Sequence, residues 1–195
     1  FQIESQGYSV VLDPYREGSV PGYRPVQAEA DGVLCSHGHN DHGGAECVTL
    51  RQGTVSPFTV ETIQTWHDDQ QGALRGSDTI HILDDGQCRV AHLGDLGCEL
   101  TPEQKEKLKG LTALLIPVGG YYTIDAAQAS GLADELAPAV VIPMHYRDGG
   151  FGYDVIGTLN QFTSLRGDVK EYSGSVLELT PRMEKQTAVL KPRNI

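Results

Sequence analysis

Short apolar runs separated by polar and glycine-containing turns extend along the chain, and this pattern predicts strands with helices between them. Residues 1–13 alternate apolar and polar positions around Gln6 and Gly7, which predicts a hairpin. Asp85 and Gly86 favour the tight turn of a second hairpin within 78–94. Further predicted strands, with continuous apolar or β-branched sequence, are residues 32–36, 58–66, 111–118, 139–144 and 175–179.

Helix-start and helix-stop signals lie between these strands. Residues 101–104 combine an N-cap threonine, a proline at the first helical position and a capping-box glutamine. Asp125 can cap a second helix, whose apolar positions share one face before Pro138 stops it. We also expect a helix to start near Gly43 and another within 153–165. Strands that alternate with helices indicate an α/β or α+β layered sandwich.

The composition is that of an ordinary globular protein, and it limits the partners. The 195 residues suit one domain or two closely packed halves, with 39% hydrophobic and 21% charged residues. Nucleic-acid-binding proteins normally carry a basic stripe that faces the phosphate backbone, whereas this chain has a formal net charge of −11. We therefore expect no nucleic-acid partner.

Cysteine usage and hydropathy predict a cytoplasmic location. The four cysteines form no C-x-x-C pair, so we expect reduced core residues. We find no apolar run of roughly 18 residues and no charged-then-apolar leader, and so expect no membrane span and no signal peptide. The chain opens at Phe1 within a strand-like run, from which we expect that a first strand is missing.

Residues 35–44 contain the highest concentration of potential metal ligands in the chain. Three of its seven histidines, His37, His39 and His42, stand here beside Asp41. Neutral imidazoles and carboxylates are good ligands for divalent ions, and on one glycine-bounded turn they cannot all point apart. A solvated polar loop is the alternative interpretation, but the scarcity of histidine favours a metal site.

More ligand-type residues follow the carboxyl ends of predicted strands. His37, His67, Asp95 and His145 each come just after such an end. In layered α/β folds the ligand crevice lies outside those ends, so four separate segments can converge there. His67 taken alone would more often be an ordinary, partly buried histidine, and the convergence with the cluster reverses that expectation.

Two other histidines are weaker candidates. His92 rivals His67, but it lies three residues before Asp95, so we expect it to pack in the core or to support a ligand. His81 stands between two isoleucines in a strand, and we expect a structural role there.

The segment from His37 to His42 forms an H-x-H-x-D-H motif, and with it the chain resembles the metallo-β-lactamase superfamily. His67, Asp95 and His145 match the later landmarks of that superfamily in order. The resemblance is closer to the branch of ascorbate-6-phosphate lactonase-like metal-dependent hydrolases, through residues 66–69, 75–76, 92–97, 116–120 and 142–146. It implies an α/β (α+β) fold, a four-layer αββα sandwich, with residues 1–195 as a single domain.

The resemblance also implies two divalent metal ions, with a bridging hydroxide as the nucleophile. It assigns His37, His39 and His67 to one ion, Asp41, His42 and His145 to the other, and Asp95 to both. Asp41 and Asp95 are thus the expected catalytic residues. Zinc is the expected metal, and Mn or Fe is the alternative because carboxylates make the second site harder.

Candidates for substrate binding lie in the predicted strand-end loops. Arg75 could clamp an anionic group, and its alternative role is a salt bridge within a β-loop. Tyr121, Tyr122 and Tyr146 could donate a hydrogen bond to a developing oxyanion, although plain packing explains them equally well. Asp68 could orient His67 or fix a neighbouring loop, and the same holds for the adjacent Asp69.

These observations predict a metal-dependent hydrolase that cleaves a small ester, lactone or phosphoester. One alternative is a phosphodiesterase of the same superfamily, including nuclease or phospholipase D-like branches, against which the acidic balance counts. Another is a metal-binding or ligand-sensing domain without turnover. We expect a small-molecule substrate, no membrane partner and a homo-oligomer as one option.

Overall fold

The computed structural model describes residues 1–193 and shows a mixed α/β fold with three sheets. Its strands are β1 Gln2–Ser5, β2 Tyr8–Leu12, β3 Ala28–Ala30, β4 Gly32–Leu34, β5 Val48–Leu50, β6 Thr59–Trp66, β7 Ser77–Asp84, β8 Arg89–His92, β9 Ala113–Pro117, β10 Val140–Met144, β11 Val169–Glu171 and β12 Gln186–Val189. Residues 194 and 195, at the end of the predicted domain, lie outside the described residues.

The helices are short, and two of them begin where the sequence predicts. They are α1 Pro102–Lys107, α2 Ala126–Leu136 and α3 Leu159–Thr163, with a 3-10 turn at Ala45–Cys47. Thr101 and Asp125 cap α1 and α2 through reciprocal bonds with the glutamine three residues later. In the part of the chain that the structure describes, no helix is long and apolar enough to cross a membrane.

One predicted helix and one predicted strand are wrong, and another predicted helix is shorter than expected. The chain after Gly43 makes only the 3-10 turn, because the Gly44 N–H donates instead to the Pro14 carbonyl oxygen. The helix within 153–165 is confined to α3, since the Gln161 side chain caps the Thr158 N–H and so fixes the start. Residues 175–179 form no strand, although their leucines lie against the core as half-buried side chains.

The seven-stranded sheet determines where the site lies. Its order is β11-β12-β10-β9-β8-β7-β6. Strands β8 to β12 run parallel, and β7 is antiparallel to both of its neighbours, so β6 has the direction of β8. The carboxyl ends of β6, β8, β9 and β10 therefore meet at one edge.

Apolar layers on both faces hold this sheet. Helices α2 and α3 cover one face, where Ala133 and Phe162 join a fully buried cluster with Leu114. On the other face, Val10 and Leu12 of the small β1-β2-β4 sheet pack against Leu83 of β7, which makes the two sheets a sandwich. The strand pair β3-β5 covers the outer face of the small sheet. The predicted α/β class is confirmed, and this outer layer consists of strands.

Phe162 is the largest fully buried side chain and joins α3 to the core. We expect Phe162→Ala to lower the free energy of unfolding by about 3–5 kcal/mol, because the cavity it leaves cannot collapse fully. Leu165→Ala is the matched control, since Leu165 is 52% exposed, and we expect it to cost less than about 1 kcal/mol. Urea unfolding followed by circular dichroism measures both, and equal losses would contradict this account of the core.

Candidate metal centre

The seven predicted ligands lie at the edge where the strand carboxyl ends meet. His67 directly follows β6, and His145 directly follows β10. Asp95 comes three residues after β8, and the loop from His37 to His42 begins three residues after β4. Sequence positions more than a hundred residues apart are thus brought to one place by strand direction.

The structure arranges these side chains in two groups, in each of which the ligand atoms lie within 4.8 Å of one another. The first group contains His37, His39 and His67, and the second contains Asp41, His42, Asp95 and His145. The resemblance implied the same grouping of the other six residues, but it assigned Asp95 to both groups. No other such group of histidine, cysteine or acidic residues occurs among residues 1–193.

Asp95 lies between the groups, and four imidazoles turn toward it. His67 Nε2 and His145 Nε2 lie 3.2 and 3.4 Å from its Oδ2, and His37 Nε2 lies 3.9 Å from the same atom. His42 Nε2 lies 3.2 Å from Oδ1. Burial opposes ionisation of this carboxyl group, but the surrounding imidazoles outweigh it and lower the pKa of Asp95.

Hydrogen bonds at the far side of the rings fix which nitrogen faces inward. The Nδ1 atoms of His42 and His67 lie 2.8 Å from Asp13 Oδ2 and 3.1 Å from the Tyr122 carbonyl oxygen, so Nδ1–H donates in both. His37 Nδ1 lies 2.9 Å from Ser36 Oγ, whose own hydroxyl donates to Asp13 at 2.6 Å. In its neutral form, each of these three rings therefore presents the Nε2 lone pair to the centre.

This arrangement fits a divalent cation. His37 Nε2 is buried and has no hydrogen-bond partner among the described residues, and inward lone pairs repel the oxygens of Asp95 unless a positive charge lies between them. Burial lowers the pKa of His42, but Asp95 and Asp13 together raise it to about 10. The centre thus favours positive charge, and imidazole with carboxylate is a donor set suited to zinc.

Asp13 is a site residue that the sequence analysis missed. Its buried carboxylate accepts the Ser36 backbone N–H at 2.6 Å as well as the Ser36 hydroxyl and His42 Nδ1–H. Burial disfavours its charged form, but the hydrogen bonds from His42 and Ser36, together with the positive charge of His42, outweigh burial and lower the pKa of Asp13. One carboxylate therefore orients a ligand in each group, directly at His42 and through Ser36 at His37.

A second buried carboxylate, Asp78, positions Asp95. Asp78 Oδ1 accepts the Asp95 backbone N–H at 3.0 Å, and Thr65 Oγ1 donates to Asp78 Oδ2 at 3.1 Å. Gly94, between strand and ligand, has φ +53°, and a Cβ there would collide with Asp78 and Ser36. Only glycine fits this close approach.

The remaining histidines lie outside both groups, as expected. His92 is 2% exposed, accepts the Gly94 N–H at 3.2 Å, and has a pKa that burial lowers to about 4. His81 pairs with it across β7 and β8 and is also buried. Both lie between the two sheets.

The structure separates the four candidates for substrate binding. The Arg75 guanidinium carbon lies 5.4 Å from the centroid of the Tyr122 ring, and that ring lies 6.5 Å from His145. Tyr121 is 65% exposed and touches Tyr122 edge-on, whereas Tyr146 packs against the core. Tyr122 is thus the tyrosine that stands beside the ligands, while the roles of Arg75, Tyr121 and Tyr146 toward a substrate stay predictions.

Fold and ligand set together define the class of this protein, a metal-dependent hydrolase with a metallo-β-lactamase fold, as the sequence predicted. The profile of the family described as Beta-lactamase superfamily domain matches residues 1–145. The chain therefore belongs to this family.

Relatives agree with that assignment. The chain is 28% identical to an Archaeoglobus fulgidus protein named UPF0173 metal-dependent hydrolase, over 94% of this chain and 89% of that one. A Carboxydothermus hydrogenoformans protein of the same name is 26% identical over 75% and 80%. The crystal structure of a Thermotoga maritima protein of the metallo-β-lactamase superfamily superposes with a TM-score of 0.75 at 29% identity, covering 97% and 93%.

We expect Asp13→Asn to weaken metal binding about 10- to 100-fold, because it removes the charge that orients ligands of both groups. Ser36→Ala should weaken only the group that contains His37, since the bond between Asp13 and His42 remains. Calorimetric titration of metal-free protein with Zn²⁺ measures both effects, with circular dichroism to verify folding.

Asp69→Asn provides the matched control for this test. Asp69 is exposed and lies two residues from His67. The substitution Asp69→Asn therefore removes the same charge near the centre but leaves the hydrogen bonds of the ligands unchanged. Unchanged affinity in Asp13→Asn, or equal losses in Asp13→Asn and Asp69→Asn, would show that Asp13 does not orient the ligands.

Proposed function

We propose that this protein is a dinuclear metal hydrolase that cleaves a small ester, lactone or phosphoester. His37, His39 and His67 would hold one ion, and Asp41, His42 and His145 the other, with Asp95 shared. The observation that carries the proposal is the set of inward Nε2 lone pairs around the buried Asp95. Zinc suits the group of three imidazoles, and Mn or Fe is the alternative at the group with more carboxylate.

Such ions, when bound, supply a water of lowered pKa as nucleophile and polarise the bond under attack. The chain's own residues prepare the place for this chemistry. Asp13 and the Tyr122 carbonyl hold His42 and His67 with Nε2 inward, so these ligands need no reorientation. The ligand set leaves space for a reactive water, whereas a purely structural zinc site is closed by four protein ligands.

Tyr153 holds the outer side of the second group. Its hydroxyl donates to the Ser19 carbonyl oxygen and lies near Asp41. Burial, together with the negative charge of Asp41, raises the pKa of Tyr153 to about 12, so the hydroxyl keeps its proton at neutral pH. Protonated Tyr153 thus ties the loop from residue 15 to 25, through Ser19, to the side of the centre where Asp41 lies.

The charge distribution supports a small substrate over a macromolecular one. With a net charge of −11, the chain repels a polyanionic backbone at long range. A hydrolase without a basic stripe is suited to a substrate that the strand-end loops can enclose. We include a small-molecule substrate in the proposal for this reason.

We expect protein purified without added metal to contain two transition-metal ions per chain by inductively coupled plasma analysis. Asp95→Ala should lower the hydrolysis rate by orders of magnitude, because it removes the ligand shared by both groups. A screen of lactones, carboxylic esters, phosphomonoesters and phosphodiesters against Zn- and Mn-loaded protein identifies the reaction.

Asp69→Ala is the control and should retain metal and rate. Less than one transition metal per chain, with no activity restored by Zn or Mn, would refute the proposal. Metal binding with no turnover of any ester, together with saturable binding of a ligand that Asp95→Ala abolishes, would identify a sensing domain instead.

A further inference from the structure

The loop that follows His67 is built rigidly around one carboxylate. Asp68 accepts backbone N–H groups at both ends of this loop, Gln70 and Gly72 on Oδ1 and Leu74 and Arg75 on Oδ2, at 2.8 to 3.0 Å. The His67 N–H donates to the Gly76 carbonyl oxygen at 3.1 Å and closes the base of the loop. Asp68 therefore fixes the backbone of Arg75 relative to the ligand His67.

The guanidinium of Arg75 has no anionic partner in the described part of the chain. No carboxylate oxygen lies within 4.0 Å of it, and its side chain makes none of the hydrogen bonds found among residues 1–193. Asp68, the carboxylate around which this loop is built, is already occupied by four backbone donors. The alternative of a salt bridge within the loop is therefore not what the structure shows.

Arg75 lies instead over the face of Tyr122, with the guanidinium carbon 5.4 Å from the ring centroid. This ring stands beside the centre, 6.5 Å from the His145 ring and 6.1 Å from the Tyr153 ring. The Tyr122 carbonyl oxygen also accepts the bond from His67 Nδ1. A single aromatic side chain thus separates a half-buried positive charge from ligands of both groups.

We propose that Arg75, supported by the Tyr122 ring, binds an anionic group of the substrate, so that the substrate is an ester, lactone or phosphoester that carries a carboxylate or phosphate apart from the bond that is cleaved. This inference rests on the proposed function for the cleavage, but the anion site itself does not. A guanidinium fork binds either oxyanion through two parallel N–H bonds, and stacking on a ring leaves that fork free. In a chain with an overall charge of −11, such a local positive group favours capture of an anion.

Anion binding by the zinc-loaded full chain tests this directly. Methyl phosphate and acetate are titrated while the Nε–Hε resonance of Arg75, assigned by its absence in Arg75→Gln, is followed by NMR. We expect one or both anions to shift this resonance, and Arg75→Gln to weaken that binding about tenfold or more. Arg75→Lys should recover part of the affinity, because it keeps the charge without the fork.

Two further variants separate the role of Arg75 from unspecific charge effects. Arg182→Gln removes the same charge at an exposed position outside the site and should leave anion affinity unchanged. Tyr122→Leu removes the ring that supports Arg75 and should also weaken anion binding. Equal affinity in wild type and Arg75→Gln, or an equal loss in Arg182→Gln, would overturn the proposal.

A kinetic comparison assigns the anion site to the substrate. A neutral aryl ester and the matching ester with a free carboxylate are hydrolysed by wild type and Arg75→Gln. We expect kcat/KM to fall about tenfold for the charged ester only, and equal falls for both esters would contradict the assignment. Absence of all hydrolysis would refute the proposed function, whereas the anion titration does not depend on turnover and would still report whether Arg75 binds an anion.

Discussion

The buried carboxylate of Asp95, faced by four imidazoles, is the constraint on which the rest of the structure depends. A carboxylate that is buried away from water needs hydrogen-bond donors or positive charges beside it. In at least three of the rings Nδ1 carries the proton, so the Nε2 atom that faces Asp95 cannot donate a hydrogen bond while the ring is neutral. The centre is therefore satisfied by cations, either protons on the imidazoles or metal ions. The raised pKa of His42 and the lowered pKa of Asp95 express the same demand.

The fold meets this demand through strand direction rather than through any one loop. Because β6, β8 and β10 end at the same edge, His67, Asp95 and His145 arrive there from separate parts of the chain. The small sheet contributes its own edge, where Asp13 directly follows β2 and β4 leads to His37. The sandwich of two sheets thus joins three candidate ligands that follow strands of the large sheet to four from the loop that follows the small sheet, and the site exists only when the sheets are packed.

Much of this could be read from the sequence, and the failures have physical causes. Few residue types bind metal ions, and in a layered fold a histidine directly after an apolar strand lies at the carboxyl edge of the sheet. The convergence of the candidate ligands at that edge was therefore predictable. Asp13 was missed because an Asp-Pro pair after a strand is also a common turn. Tyr122 was not distinguished from Tyr121 because the positive φ of 62° at Tyr121 reverses the direction of the chain, which no local pattern reveals.

The same reasoning explains why substrate chemistry is harder to read than metal chemistry. Metal ligands must converge to within a few ångströms, so many residues constrain one another and a motif results. A substrate group needs only one or two contacts, such as the one proposed for Arg75. That residue lies in a loop whose shape depends on Asp68 accepting four N–H groups. The loop after His67 therefore connects the candidate metal centre to the proposed anion site. His67 is a candidate ligand, and its backbone N–H also closes the base of the loop that carries the Arg75 guanidinium. Specificity in this protein can change with that loop while the centre stays as it is.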